Sequence, residues 1–457
     1  MGILLFLIFI VMEISLTVLS CTKYRSLWYR NRIFFCGVEF ILMLILMLLP
    51  IIGQKWRFTV CLLILGIRLA VSSIAYLIKR SGATKEKTKA KTIVSTIINI
   101  IFIGFSLVPA FIFTGYSGLK TNGQYEVKET QAILIDNSRI EIHENDGSNR
   151  EIPVHFYYPD GDAVNCPLIV FAHGSFGYYQ SNSSLYEELA SNGYVVASID
   201  HPYYAFFTKD TVGKTIIVDM EFMQTAIDIQ NRSDFTEADY NIECEWMSLR
   251  TADENFVLDT IKTAKDSGLL GTAWYTESEN VKTEVLKILK ITDTEKIGLM
   301  GHSIGGATAV QLGRERDDIT AVVDIDGSML GEHTSYNGGK LSYNPDPYPI
   351  PILALDNESH WNSYVNGLDE ETEYVNKYLL DNAIDGREAH FDGTEHMDFT
   401  DLPLLSPALA KMLGKGSADS SEFIPKMNDI ILNYFNYYLK GEGEPNIEPW
   451  NTQAVEN

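Results

Sequence analysis

Apolar and polar positions along this chain follow two regimes, with the break near residue 118. Before it, four nearly unbroken apolar runs, Gly2–Ser20, Ile33–Ile52, Arg57–Lys79 and Ile93–Gly115, are separated by short polar stretches. Each approaches the about 20 residues that a helix rising about 1.5 Å per residue needs to cross a hydrocarbon core. The pattern therefore predicts a transmembrane region of four α-helices over residues 1–118. A signal peptide is the competing reading of the first run, but no Lys or Arg precedes it and no small-residue cleavage site is evident.

After a polar linker, residues 119–130, the apolar runs shorten and alternate with amphipathic stretches. "AILIDNSRIEIHE" and "EIPVHFYYP" read as an antiparallel strand pair. "PLIVFAHGS", "GYVVASIDH", "KIGLMGHS", "ITAVVDIDG", "IPILALDN" and "GREAHFDGTEH" are short and rich in Val and Ile, as strands buried on both faces are. Helical periodicity occupies Ser184–Asn192, Thr251–Ser267 and Glu277–Lys290, and it places Met427, Ile430, Ile431, Tyr434 and Tyr438 on one face near the C-terminus. This alternation predicts an α/β domain over residues 131–457 with a mostly parallel, doubly wound sheet. Residues 207–246, aromatic and acidic, break the rhythm and read as a cap or lid, or as a surface insertion.

Charge sharpens the partition. Of 36 Lys and Arg against 60 Asp and Glu, 13 and 3 lie in the stretch ending at Gly118, which leaves 23 and 57 after it. A basic apolar part thus precedes a part with a balance of −34. Such a domain repels polyanions, which argues against nucleic acid and strongly anionic lipid as partners and leaves zwitterionic or neutral esters compatible. Lys23, Arg25, Arg30 and Arg32 in the first inter-span loop, and the basic "KRSGATKEKTKAK" in the third, place those loops in the cytoplasm. The expectation is a multi-pass cell-membrane protein with everything after Tyr116 on the outer side. Glu13 and Arg68 fall at similar depth in the first and third spans, with Glu39 as a second partner; an interhelical ion pair is the ordinary reading and a transport or sensing role the sharper one. Cys166 and Cys244, 78 positions apart, allow one disulfide but no framework, and no CxxC or Cys/His metal spacing occurs. No metal or cofactor is expected, and the oligomeric state is open.

The chemistry centres on Gly301-His302-Ser303-Ile304-Gly305, a G-x-S-x-G between a strand-like and a helix-like run. In that context small flanking residues let the chain turn sharply and expose the serine hydroxyl as a nucleophile, whereas the bland alternative is a helix-capping serine. A serine needs a histidine to take its proton and a carboxylate to orient that histidine, in the order nucleophile, acid, histidine. His396, in "GTEHMDF" after the last strand-like run, stands where the base belongs; His333, His360 and His390 are weaker placed. Asp326 and Asp356 end successive strands, and either can serve as the acid, while Asp324 suits a local structural role. The backbone N–H groups of Ile304 and of Ser175, in "IVFAHGSFG", are the candidate oxyanion donors.

With these residues placed, the soluble part resembles the platelet-activating-factor acetylhydrolase family of the plasma and type II kind. The likeness runs from about Pro167 to Leu405 on "VFAHGSFGYY", "RTADENFVLDTI", "GHSIGGATAV", "DIDGSML" and "GTEHMDFTDL". It implies an α/β-hydrolase fold, with Ser303 as nucleophile, Asp326 as acid, His396 as base, and Ser175 and Ile304 as oxyanion donors. Related polyester and dienelactone hydrolases place their acid after the next strand, which keeps Asp356 as the alternative. The resemblance implies metal-free hydrolysis of short or oxidised phospholipid acyl chains or of simple esters. Tyr178, Tyr179, Tyr203, Tyr204, Phe206 and Phe207 are candidates for an acyl pocket. Function is expected to be that of a membrane-anchored serine esterase or lipase acting through an acyl-enzyme on esters at the bilayer. A catalytically silent binding or sensor module and an acyltransferase are the alternatives.

Overall fold

The computed structural model describes residues 1–22, 27–49, 52, 54–80, 88–232, 235–365, 375–445 and 447. Lys23, Arg25 and most of the third basic loop, on which the expected orientation partly rests, lie outside them, as do residues 233 and 234 of the 207–246 insertion and the last residues of the chain. The chain divides into two compact units, Met1–Gly118 with Leu402–Met412, and Leu119–Asp401 with Leu413–Asn457.

The first unit contains four helices long and apolar enough to cross a membrane. They are α1 (Gly2–Cys21), α2 (Trp28–Leu48), α3 (Thr59–Arg80) and α4 (Lys89–Ser106). The fourth is shorter than the apolar run predicts. Pro109 has no N–H and disfavours the helical conformation of the residue before it, so the helix stops at Ser106 and a short α5 (Val108–Ile112) begins with that proline in its first turn. Ile, Leu and Phe side chains cover the outer faces, and the polar groups turn inward. Arg68 of α3 pairs with Glu39 of α2 at 2.9 Å and with Glu13 of α1, and Asn99 of α4 donates to Glu13 at 3.1 Å. Each of the four helices thus contributes to one buried polar cluster, the arrangement that keeps ionised groups out of hydrocarbon.

The second unit is built on a nine-stranded sheet. Its strands are β1 (Val127–Ile140), β2 (Asn149–Pro159), β3 (Cys166–Ala172) and β4 (Val195–Ile199); then, beyond the hairpin of β5 (Phe207–Lys209) and β6 (Thr215–Ile217), β7 (Trp274–Tyr275), β8 (Thr292–His302) and β9 (Ile319–Ile325); and, beyond a second hairpin of β10 (His333–Asn337) and β11 (Lys340–Tyr343), β12 (Ile352–Asn357) and β13 (Gly386–Phe391). The order is β13-β12-β9-β8-β3-β4-β2-β1-β7, parallel from β13 to β4 and antiparallel beyond. This is the mostly parallel, helix-covered sheet that the alternating pattern predicts, in the α/β-hydrolase arrangement that the family resemblance implies. Helices α6 (Ser183–Ser191), α7 (Met220–Gln230), α8 (Glu237–Ser267), α9 (Glu279–Ile291), α10 (Ile304–Glu315), α11 (Glu358–Val365) and α12 (Val375–Asp381) precede a C-terminal helix, Ser420–Phe435. β3, β4 and β12 are buried at every position because helices cover both faces of the sheet, which is why their sequences run apolar without alternation. Ser303, Asp326 and the loop after β3 all lie at the C-terminal edge of the parallel strands, the edge where such sheets leave a crevice.

Candidate active site

The sequence from Gly301 to Gly306 is shaped by contacts too close for side chains. A Cβ on Gly301 would lie 2.2 Å from the Gly305 backbone, and one on Gly305 would lie 2.0 Å from the Ala172 carbonyl oxygen. The turn they allow holds Ser303 at φ 59° and ψ −130°, a conformation costing about 1–3 kcal/mol for a residue with a side chain. Ser303 occupies the N-cap position of α10, yet its side chain makes no capping hydrogen bond, so the hydroxyl is not consumed by the helix. Ile304 opens that helix, where backbone N–H groups have no intrahelical partner. The loop after β3 closes against the same point. A Cβ on Gly174 would stand 3.0 Å from Ser303 Cβ and 2.8 Å from His302 Nδ1, and Ser175 follows directly.

Asp326 follows β9 at φ 53°, and its carboxylate meets three hydrogen-bond partners and the His360 ring. Oδ2 lies 2.6 Å from His396 Nδ1 and accepts from Asn357 Nδ2 at 2.9 Å; Oδ1 accepts from the Asn357 backbone N–H at 2.8 Å and stands 3.0 Å from His360 Nδ1. Burial alone would raise the pKa of this fully enclosed group, but the contacts to His360 and His396 outweigh it and hold the carboxylate well below its ordinary range. It is therefore ionised and fixed at neutral pH. Asp356, the other strand-end acid, is buried with no hydrogen-bond partner on either oxygen, and burial followed by the charge of Asp326 pushes its carboxyl well above the ordinary range. His396 sits in a 3-10 turn, His396–Phe399, whose ends are locked by reciprocal bonds between Glu395 and Asp398. Of the two predicted bases that reach Asp326, it makes the shorter contact and has the more open edge, its side chain being 36% exposed against 26% for His360. His390 instead stacks on Trp361 with ring centroids 3.8 Å apart, and His333, half-buried at the start of β10, is pushed down to about 4 by desolvation.

Several residues around the site carry roles that motif spacing did not reveal. His302, inside the serine motif, places its ring 4.5 Å from that of His396 and its Nε2 3.2 Å from the His396 carbonyl oxygen; burial, then the neighbouring His396, lowers it to about 3, so it is a neutral wedge rather than a base. His173 Nε2 accepts from the His201 N–H at 3.2 Å, which leaves Nδ1 to donate to the Gly174 carbonyl at 2.7 Å and fixes the loop from inside. Arg250 of α8, fully buried, donates to the His173 carbonyl, and Asp253 one turn on binds Arg150 at 2.6 Å and His201 at 3.0 Å. The Arg250 and Asp253 spacing puts both on one face of a helix, and that was the available signal. Of the candidate pocket aromatics, Tyr204 packs with Phe222, Phe176 and Trp246 beside the loop after β3, and Met247, Trp246 and Leu330 pack on Ile304. Tyr179 is stacked on His155 at 3.3 Å between centroids and so belongs to the structure.

Residues 157–454 match the family model described as platelet-activating factor acetylhydrolase, isoform II. The chain belongs to this family. Among curated relatives, a protein named "Probable 1-alkyl-2-acetylglycerophosphocholine esterase" from Arthroderma benhamiae is 23% identical over 302 residues, covering 62% of this chain and 63% of that one. The platelet-activating factor acetylhydrolases of Bos taurus and Cavia porcellus are each 22% identical, covering 60% and 66% of this chain and 57% and 64% of theirs. This acetylhydrolase-family chain therefore spans less than two thirds of the length of these relatives. A ferulic acid esterase from Streptomyces cinnamoneus shares the fold, with a TM-score of 0.52 and 21% identity over 73% of this chain and 96% of that one.

Proposed function

We propose that this member of the acetylhydrolase family is a membrane-anchored serine hydrolase of carboxylic esters, with Ser303, His396 and Asp326 as its triad. The observation that carries the reading is the 2.6 Å contact between His396 Nδ1 and an ionised Asp326 that Asn357 also holds, at the same sheet edge as a serine held at φ 59° with its hydroxyl free of the helix cap. His396 takes the Ser303 proton through Nε2 while Asp326 stabilises the resulting imidazolium. Ser303 Oγ attacks the ester carbonyl, and the N–H groups of Ser175 and Ile304 receive the developing oxyanion. Collapse expels the alcohol, protonated by His396; water, deprotonated by the same histidine, then releases the acid. Neutral or zwitterionic esters with a short acyl group, phospholipids among them, suit the apolar cluster of Phe176, Tyr204, Phe222 and Trp246 and the acidic surface. The four apolar helices anchor the enzyme, and the basic first and third loops favour an extracytoplasmic hydrolase unit. The test is Ser303→Ala in the full chain: loss of p-nitrophenyl acetate hydrolysis and of fluorophosphonate labelling is expected, and retained hydrolysis would refute the assignment.

A further inference from the structure

The end of the sheet beneath His396 carries more buried carboxyl groups than the triad requires. Asp324, Asp326 and Asp356 are each at most 1% exposed, and among the described residues none of them pairs with a Lys or Arg. Asp326 has its donors, but both oxygens of Asp356 are buried without a hydrogen-bond partner. An unsatisfied buried carboxyl is a costly feature to keep. His360, in the first turn of α11, stands over the pair, its Nδ1 3.0 Å from Asp326 Oδ1 and 3.8 Å from Asp356 Oδ1, and its side chain is 26% exposed. One ligand atom from each of the three residues lies within 4.8 Å of the others.

These separations bracket the spacing of roughly 3.3–3.6 Å between ligands that bonds of about 2.0–2.2 Å produce around a tetrahedral ion. One imidazole nitrogen and two carboxylate oxygens suit zinc, whereas calcium and magnesium favour an all-oxygen shell of six or more ligands. We propose that Asp326, Asp356 and His360 form a site for a zinc-like divalent cation, and that its occupancy slows the chemistry at Ser303. The first half stands on the cluster itself; the second rests on the reading of Asp326 as the triad acid. A cation on Oδ1 draws off the negative charge with which Oδ2, 2.6 Å from His396, stabilises the imidazolium. The ion would thus act as a reversible brake, entering from the exposed side of His360.

The experiment uses the full chain in detergent micelles, stripped with EDTA and dialysed against buffered zinc, with bound zinc measured by atomic emission. Wild type and Ser303→Ala are expected to bind a zinc equivalent that His360→Gln and Asp356→Asn lose or hold more weakly by at least the roughly 10–100-fold that removal of a supporting residue costs a metal site. Ester hydrolysis by wild type should fall as that equivalent fills and recover with EDTA, and His360→Gln should need correspondingly more zinc relative to its own zinc-free rate. Zinc binding equal to wild type in His360→Gln overturns the site, and an unchanged rate at full occupancy overturns the brake. Should Asp356→Asn fail to fold by circular dichroism, His360→Gln, on the part-exposed helix, decides alone. Hydrolysis retained by Ser303→Ala would refute the nucleophile while leaving the zinc measurement intact.

Discussion

Replacement of Gly174 by Ala tests the close approach of the loop after β3 to the serine. The added carbon would stand 3.0 Å from Ser303 Cβ and 2.8 Å from His302 Nδ1, against about 3.5 Å for an unstrained contact, so something must move by about half an ångström. The neighbours have little room. His302 is buried with its ring against His396, so pushing it displaces the proposed base, while the loop is held by Arg250 on the His173 carbonyl. Moving a catalytic group by about 1 Å, or losing one oxyanion donor, costs on the order of 100-fold in rate. The variant is therefore expected to lose about 100-fold in kcat, about 2.7 kcal/mol of transition-state stabilisation, with KM little changed. Overpacking should also lower stability by about 1–3 kcal/mol. The assay is p-nitrophenyl acetate hydrolysis by the full chain in micelles, with Gly271→Ala as control, since a Cβ there meets nothing within 4 Å. A kcat for Gly174→Ala within about threefold of the control would refute the argument that this glycine sets the oxyanion geometry.

Two further outcomes follow from the charges. Asp326→Asn should lower kcat by about 10⁴-fold, since the amide can fix the wrong His396 tautomer and cannot stabilise the imidazolium, while Asp356→Asn in zinc-free buffer should lose far less; initial rates at saturating ester compare them. His302 has a folded pKa of about 3, below its unfolded value, so the folded state binds fewer protons than the unfolded one below about pH 6.5. Its contribution is thus complete above that pH and declines as pH falls toward 3, reaching a loss of about 2 kcal/mol at pH 5. His302→Gln should shrink the difference in urea stability between pH 7 and pH 5 by about that amount, as read by tryptophan fluorescence.

Much of this architecture is legible in the sequence because its signals are local. The Val- and Ile-rich runs mark β3, β4, β8, β9, β12 and β13, and glycines around Ser303 mark a turn that admits no side chain at Gly301 or Gly305. Helix ends were less legible. α8 begins at Glu237 rather than near Thr251, because its first turns are acidic and largely lack an apolar stripe; the signal was Thr236 with Asp239, which form a capping box. The depth of Arg250 was not legible, since a lone arginine on a polar helix normally points to solvent, and only the folded loop supplies the His173 carbonyl that holds it. The choice between Asp326 and Asp356 was equally closed to spacing. Both end a strand, and their difference arises from Asn357, which donates twice to one carboxylate, and from His360, which lies nearer to that one, while the other is left bare.

Asp324 shows how the serine turn and the acid turn are made one object. Two residues before Asp326 on β9, it is buried against glycines from both turns: a Cβ on Gly306 would lie 1.8 Å from Asp324 Oδ1, and one on Gly327 would lie 2.2 Å from the same atom and 2.6 Å from the Ser303 carbonyl oxygen. Gly306 lies in the first turn of α10, where the positive end of the helix dipole favours a carboxyl group. Neither glycine can be exchanged without moving Asp324, whose carboxyl packs against both the turn that carries Ser303 and the turn that carries Asp326. The glycines in "GHSIGG" and "DIDG" thus do more than allow sharp bends. They let a side chain that takes no part in the proposed chemistry pack between the turns that carry two that do.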